Sequence, residues 1–216
     1  MKTTFKGLLF DLDGTLLDTA PELAQAANTL YKKYGKPEQP FDILRPLAGD
    51  GAMAFIELVF GTGNQNQSAL RQEFIDIYLT QFGQYTEFFP GVETLIQHFD
   101  EIHYPWGIVT NKPRYLTKTT LQRFPLLDKA LIVVCGDTLK KGKPHPEPVL
   151  HACKKLALTP AECAFIGDHE RDIIAGRAAG TFTMVARYGY LSTNTDPADW
   201  HANVIIDKID EVYNWI

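Results

Sequence analysis

Asp11-Leu12-Asp13-Gly14-Thr15 follows a short apolar run, and its residue types suit phosphate chemistry. Alternation along an extended chain sends the Asp11 and Asp13 side chains the same way. Two carboxylates so close repel unless a cation sits among them or one keeps its proton. Gly14 lets the chain turn close to a ligand. The plainer reading is an acidic turn that merely ends a strand, and a second acidic pair weighs against it. Gly167-Asp168-His169-Glu170-Arg171-Asp172 also comes after an apolar run, with Asp168 at the strand end and Asp172 in the first turn of the next helix. In a parallel sheet the strand ends meet at one edge, where ligands bind, so that edge gathers Asp11, Asp13, Asp168 and Asp172. Hard oxygen donors without a His/Cys set suit Mg2+ rather than zinc. His169 reads as a solvated neighbour of the cluster.

Two more strand ends supply positive and hydrogen-bonding groups. Thr110-Asn111-Lys112-Pro113 offers a hydroxyl and then a backbone N–H at a helix start, which is a phosphate grip and is compatible with Thr110 as an N-cap. In Lys140-Lys141-Gly142-Lys143-Pro144-His145-Pro146 the prolines stiffen the loop, so one lysine can be aimed, and Lys143 is favoured. Lys112 and Arg114 read either as positive potential at the mouth of the site or as ordinary surface charges.

The elements that must position these residues are set by periodicity. Short apolar runs recur at 5–10, 106–109, 131–134, 164–166, 182–186 and 204–206, mostly without in–out alternation. They read as strands buried on both faces. Helical periods lie between them at 92–99, 116–124, 148–156 and 173–179, which points to a doubly wound, Rossmann-like α/β fold with a parallel sheet. From about Leu17 to Glu87 only helical stripes occur: Leu23, Ala26, Ala27, Leu30 and Tyr34; then Met53, Ile56 and Phe60; then Leu70, Phe74, Ile77, Tyr78 and Phe82. A βαβ crossover needs one helix, so this stretch reads as an inserted helical domain. The boundaries are 1–16 and 87–216 for the α/β core and 17–86 for the insert, with Asn64-Gln65-Asn66-Gln67 as a polar loop between helices.

Composition narrows the function classes. With 216 residues, 45% hydrophobic and 22% charged, the chain is long enough for one core plus an added unit. A net charge of −5 and a pI near 5.7 argue against nucleic acid and membrane surfaces as partners. The three cysteines, Cys135, Cys153 and Cys163, lie in apolar stretches and form no C-x-x-C, so buried thiols and a reducing, cytoplasmic setting are expected. The N-terminal apolar run is too short for a signal segment, and no run is long enough to span a membrane. Gly61-Thr62-Gly63 lacks a preceding strand and the final glycine of a dinucleotide fingerprint, and Pro144 stands after Lys143 where a Walker motif needs Ser or Thr. Phe88, Phe89, Trp200 and Trp215 read as packing residues.

These residues resemble the haloacid dehalogenase superfamily, in its phosphatase branch, over nearly the whole chain. The first motif looks like Asp11–Thr15, the second Thr110, the third Lys143 and the fourth Asp168 with Asp172, in the family's order; the insert resembles its cap. Within the branch the chain is similar to the phosphoglycolate phosphatases, through 109–113 and 143–146. It is also similar to the N-acetylmuramic acid 6-phosphate phosphatases, through the compact cap, Trp106-Gly107, the Gly167–Asp172 motif and the aromatic ending at 188–200. The resemblance implies that Asp11 attacks phosphorus to form an aspartyl phosphate, and that Asp13 protonates the leaving oxygen and then takes a proton from water. It implies phosphoryl contacts from Thr110 and from the N–H groups of Leu12 and Asn111. The cap would select the leaving group through Arg45 and the turn Gly49-Asp50-Gly51, with Lys112 adding charge.

The substrate implied is a small phosphate ester, most simply N-acetylmuramic acid 6-phosphate, with 2-phosphoglycolate as the alternative. Without a divalent ion the site repels a dianionic phosphate. At about 4 Å and an effective dielectric near 20 each like-charge pair costs on the order of 4 kcal/mol, so metal removal is expected to abolish turnover. Three other readings remain open at this level. A phospho-accepting switch lacks a reason for the helical insert and for Asp13. A dehalogenase lacks the second aspartate of the first motif, and a mutase differs only in staying closed after the first step. Oligomeric state is not legible.

Overall fold

Apolar runs bordered by polar turns become strands covered on both faces, because a parallel sheet leaves neither face to water. The computed structural model describes residues 4–63, 65–191 and 196–216; residues 1–3, Asn64 of the polar loop and 192–195 of the aromatic ending lie outside them. In chain order the elements are β1 (Gly7–Phe10), β2 (Leu17–Asp18), α1 (Ala20–Lys33), α2 (Phe41–Leu44), α3 (Ala52–Phe60), α4 (Gln67–Gln81), β3 (Glu87–Phe88) and α5 (Val92–Glu101). They continue as β4 (Trp106–Val109), α6 (Arg114–Arg123), β5 (Ile132–Val134), α7 (Glu147–Lys155), β6 (Cys163–Gly167), α8 (Glu170–Ala179), β7 (Phe182–Ala186) and β8 (Val204–Ile206).

Six strands form one parallel sheet in the order β5-β4-β1-β6-β7-β8. Its two faces obey the period of two. Leu8 and Phe10 enter one apolar cluster with Leu95, Ile96 and Phe99 of α5, while Leu9 enters another with Val149, Ala152 and Cys153 of α7 and Ala175 of α8. Cys135, Cys153 and Cys163 are buried free thiols. Trp200 and Trp215 are packing residues: Trp200 joins a small cluster with Ile173 and Val185, and Trp215 lies against Phe5 and Phe182. Among the described residues no helix is long and apolar enough to cross a membrane.

The chain leaves β1 toward β4 and β5, then returns through α7 to β6 on the other side of β1. That reversal opens a crevice at the carboxyl end of β1, the usual ligand position in such sheets.

The helices α1 to α4 lie between β2 and β3, which pair antiparallel through Leu17–Phe88 and Asp18–Glu87. This short ribbon was not legible as two strands, since two residues carry no periodicity. Glu22, fully buried on α1, closes the same base: it accepts from the Gln84 N–H at 2.7 Å and from the Thr86 hydroxyl. Tyr190 does so from the core side. Its hydroxyl accepts from the N–H groups of Thr19 (2.6 Å) and Ala20 (3.0 Å), which satisfies free donors at the start of α1.

The buried stripes differ in detail from those expected. Tyr31 rather than Tyr34 is buried on α1, and Ile75 joins Leu70, Phe74 and Tyr78 on α4 in place of Ile77. Helix α4 packs on both α1 and α3 and also faces a cavity, so its apolar surface is wider than one stripe.

Candidate active site

Register explains why distant residues meet. Phe10 is level with Ile108 and Ile166, and Val109 with Val134, so Asp11, Thr110 and Asp168 each sit just past the end of adjacent strands. Asp172 returns to the same point because it lies in the first turn of α8, where its Oδ2 accepts from the His169 N–H at 3.1 Å. Asp11, Asp168 and Asp172 bring carboxylate oxygens within 4.8 Å of one another. Two glycines permit the crowding. A Cβ on Gly14, whose φ is +85°, would stand 2.1 Å from Asp168 Oδ2, and one on Gly189 would stand 2.3 Å from Asp168 Cβ. Asp168 is held from both sides, by the Thr15 hydroxyl at 3.0 Å and the Tyr190 N–H at 3.0 Å.

Lys143 lies behind this group, 1% exposed, with Nζ 2.9 Å from Asp11 Oδ1 and 2.7 Å from Asp172 Oδ1. It also donates to the Val109 carbonyl at 2.7 Å. The contact with Asp172 Oδ1 is ionic without the alignment of a hydrogen bond. Asn111 aims the lysine: its amide donates to the Lys143 carbonyl at 2.8 Å and accepts the Lys143 N–H at 2.9 Å. The peptide bond between Lys143 and Pro144 is cis. Thr110, also buried, lines the cavity and accepts from the Lys112 N–H at 3.1 Å.

Burial sets the protonation of this group. Desolvation raises the Asp11 carboxyl to about 6; Lys143 opposes the shift and Asp172 adds to it. Asp168 is pushed well above the usual carboxylate range by burial and then by the charges of Asp11 and Asp172. Burial works against the Lys143 ammonium, yet Asp11 and Asp172 raise it overall. Three carboxylates thus face one lysine, a shortfall of positive charge that a divalent ion would fill. The donors are all oxygen, with no thiol or imidazole in the group, which suits Mg2+.

Asp13, expected among the metal ligands and as the proton donor, stands outside that group. Its carboxylate pairs with Lys112, whose Nζ lies 2.9 Å from Oδ1 and 3.2 Å from Oδ2. Lys112 is neither a surface charge nor free at the mouth. Its side chain is 7% exposed, and its Nζ also lies 3.1 Å from the Tyr78 hydroxyl of α4. Burial lowers its basicity, but Asp13 and Tyr78 raise it overall. The Leu12 N–H, expected at a phosphoryl oxygen, donates to Asp11 Oδ1 at 2.7 Å.

The insert covers this edge and encloses a cavity of about 320 Å3, lined by Asp11, Asp13, Thr110, Asn111, Lys112 and Asp168 below and by residues of the insert above. Gly49, Asp50 and Gly51 line it, with Asp50 hydrogen-bonded to His169 Nε2 (3.0 Å) and paired with Arg171 (2.9 Å). The His169 contact, then desolvation opposing it, then the nearby positive charge leave the Asp50 carboxyl below its usual range. His169 is accordingly a wall residue rather than a solvated neighbour.

Arg45 is not in the wall. Its guanidinium donates to the Gly189 and Tyr188 carbonyls and lies over the Tyr190 ring, tying the insert to the core instead of meeting a ligand. Arg114 donates through its side chain to Thr138. The sequence does not mark Tyr78, a stripe residue, or Arg71, which interrupts the apolar pattern on the Phe74 and Tyr78 face, as wall residues, yet both line the cavity. The spacing 71, 74, 75, 78 was the available signal.

Comparison with known proteins fits this geometry. A model of haloacid dehalogenase-like hydrolases matches residues 8–186. A phosphoglycolate phosphatase of Xanthomonas campestris pv. campestris is 35% identical over 209 residues, 96% of this chain and 95% of that one. An N-acetylmuramic acid 6-phosphate phosphatase of Pseudomonas aeruginosa is 37% identical over 209 residues, 96% of this chain and 92% of that one. A crystal structure from Haemophilus somnus, described as a predicted phosphoglycolate phosphatase, superposes with a TM-score of 0.87 at 25% identity, covering 99% of this chain and 98% of that one. With an acidic strand-edge site, a buried lysine and full-length agreement in sequence and fold, the chain belongs to the haloacid dehalogenase-like hydrolases, and it is a phosphatase.

Proposed function

We propose that this protein is an Mg2+-dependent phosphomonoesterase acting on a small, phosphorylated metabolite through an aspartyl phosphate on Asp11. The convergence of Asp11, Asp168 and Asp172 on one point, with Lys143 alone to balance them among the described residues, carries the proposal. Asp11 and Asp168, with Asp172 behind them, would hold Mg2+. The ion supplies charge neutralisation for a dianionic phosphate and keeps the carboxylates ionised.

The chain's own residues do the rest. Lys143 and the Leu12 N–H fix one oxygen of Asp11, so the carboxylate meets phosphorus already oriented. Asp11 bonds to phosphorus as the ester P–O bond breaks. The Thr110 hydroxyl and the Asn111 N–H would hold phosphoryl oxygens, both residues lining the cavity. Asp13 gives the departing alkoxide a proton, then takes one from the water that displaces phosphate from Asp11. In the structure Asp13 is held by Lys112, so this carboxyl must leave that pair, or share it, when a leaving group arrives. The segment 17–86 acts as the cap that keeps bulk water from the first step.

N-acetylmuramic acid 6-phosphate is the substrate favoured, with 2-phosphoglycolate as the second. A cavity of about 320 Å3 has room for a sugar above the phosphate, whereas a two-carbon acid leaves much of it to water. The free thiols fit a reducing, cytoplasmic setting. Phosphate release from both esters with Mg2+ tests the proposal. Faster release from the amino-sugar ester supports it, the reverse order selects the acid, and no release from either refutes it.

A further inference from the structure

Four cationic and imidazole side chains reach the cavity wall: Arg71, Lys112, His169 and Arg171. Three of them are spoken for. Lys112 is paired with Asp13, and His169 and Arg171 both meet Asp50. Arg71 has no hydrogen bond or ion pair among the described residues. It is exposed, and it stands on the cavity side of α4, where residues 71, 74, 75 and 78 share one face. Phe74, Ile75 and Tyr78 are buried, and with Leu23 and Met53 they make the upper wall largely apolar.

We infer that Arg71 reads a carboxylate on the leaving group, and so makes the enzyme selective for phosphorylated sugar acids over neutral sugar phosphates. This rests on the phosphatase reading above. A guanidinium matches a carboxylate with two parallel hydrogen bonds, and an apolar wall strengthens that pair relative to open water. The helix spacing says where the carboxylate lies. Tyr78 touches Lys112 and hence Asp13, at the phosphate end, and seven residues of helix rise set Arg71 roughly 10 Å further out. The recognised acid is therefore on the far side of a sugar-sized group, not on the carbon next to the ester. The compounds in the names of the two relatives, phosphoglycolate and N-acetylmuramic acid 6-phosphate, are both carboxylic acids, and only the second separates its two anions by a sugar ring.

The test compares N-acetylmuramic acid 6-phosphate with N-acetylglucosamine 6-phosphate, which lacks the lactyl carboxylate, in the full-length protein with Mg2+. The preference for the acid, as a ratio of kcat/KM, should fall about 10- to 100-fold in Arg71→Gln, mainly through KM, and recover in part in Arg71→Lys. An exposed helix position tolerates either change without loss of fold. An unchanged ratio in Arg71→Gln, or no preference in the parent protein, overturns the role of Arg71 while release from p-nitrophenyl phosphate still supports the phosphatase reading. No release from any of the three esters overturns both.

Discussion

Asp11 and Lys143 illustrate how one residue's chemistry depends on another far away in the chain. Burial works against the charge of each, and together with Asp172 they form an ionic triad in which Lys143 and Asp172 are buried. Replacing Lys143 by Met leaves two buried carboxylates without their counter-ion. We expect a loss of about 3 kcal/mol in urea unfolding in EDTA, larger at pH 8 than at pH 5, and partly restored by Mg2+. Asp11→Asn has the opposite effect on folding, since it removes a charge that burial disfavours while Lys143 keeps Asp172. Its melting temperature in EDTA should equal or exceed the parent's at neutral pH. Its turnover should fall at least about a thousandfold, measured as phosphate release. Asp11, Thr110, Lys143, Asp168 and Asp172 were legible because each sits at a strand end, in the loop after one or in the first turn of the next helix. Where Asp13, Lys112 and Arg45 point was not, because a side chain's nearest partner depends on elements dozens of residues away.

At the scale of elements, the base of the insert is closed by polar groups that periodicity does not show. Glu22 is the clearest, since it sits on the first helix of the insert and its carboxylate bonds to the chain leaving it. Glu22→Ala would strand the buried Thr86 hydroxyl and remove the acceptor of the Gln84 N–H. The expected cost is about 2 kcal/mol by chemical denaturation, large for a residue remote from the cavity. The six strands of the sheet and the longer helices emerged from apolar periodicity, as did the break after β1 that marks the insert. The β2–β3 ribbon and the four-residue α2 did not, being too short to show a period, and the burial of Tyr31 and Ile75 came from helices packed on more than one side.

For the whole molecule the acidic site links proton and fold, and under the proposed function the metal as well. Because burial raises Asp11 to about 6 and Asp168 well above its usual range, the metal-stripped native state binds protons more tightly than the unfolded chain. Its stability is therefore fully present below the unfolded carboxylate range near pH 4, and this part of it is lost as pH rises through about 6. Bound Mg2+ requires the ionised form, so it should raise the melting temperature more at pH 7.5 than at pH 5. Thermal melts with Mg2+ or EDTA at the two pH values check this, and an equal shift at both would count against a metal held by these carboxylates.

The sequence by itself determined a doubly wound sheet with a helical insertion, and an acidic cluster with a lysine to balance it at its strand ends. It could do so because strand ends in a parallel sheet share one edge, whatever the loops between them do. Only the tertiary structure decided which charges were already paired. It turned Asp13 toward Lys112, sent Arg45 to the Gly189 carbonyl, set Asp50 against Arg171 and left Arg71 on the wall without an ion pair among the described residues. Ion pairing depends on separations of a few ångströms between elements, and that distance is written nowhere along the chain.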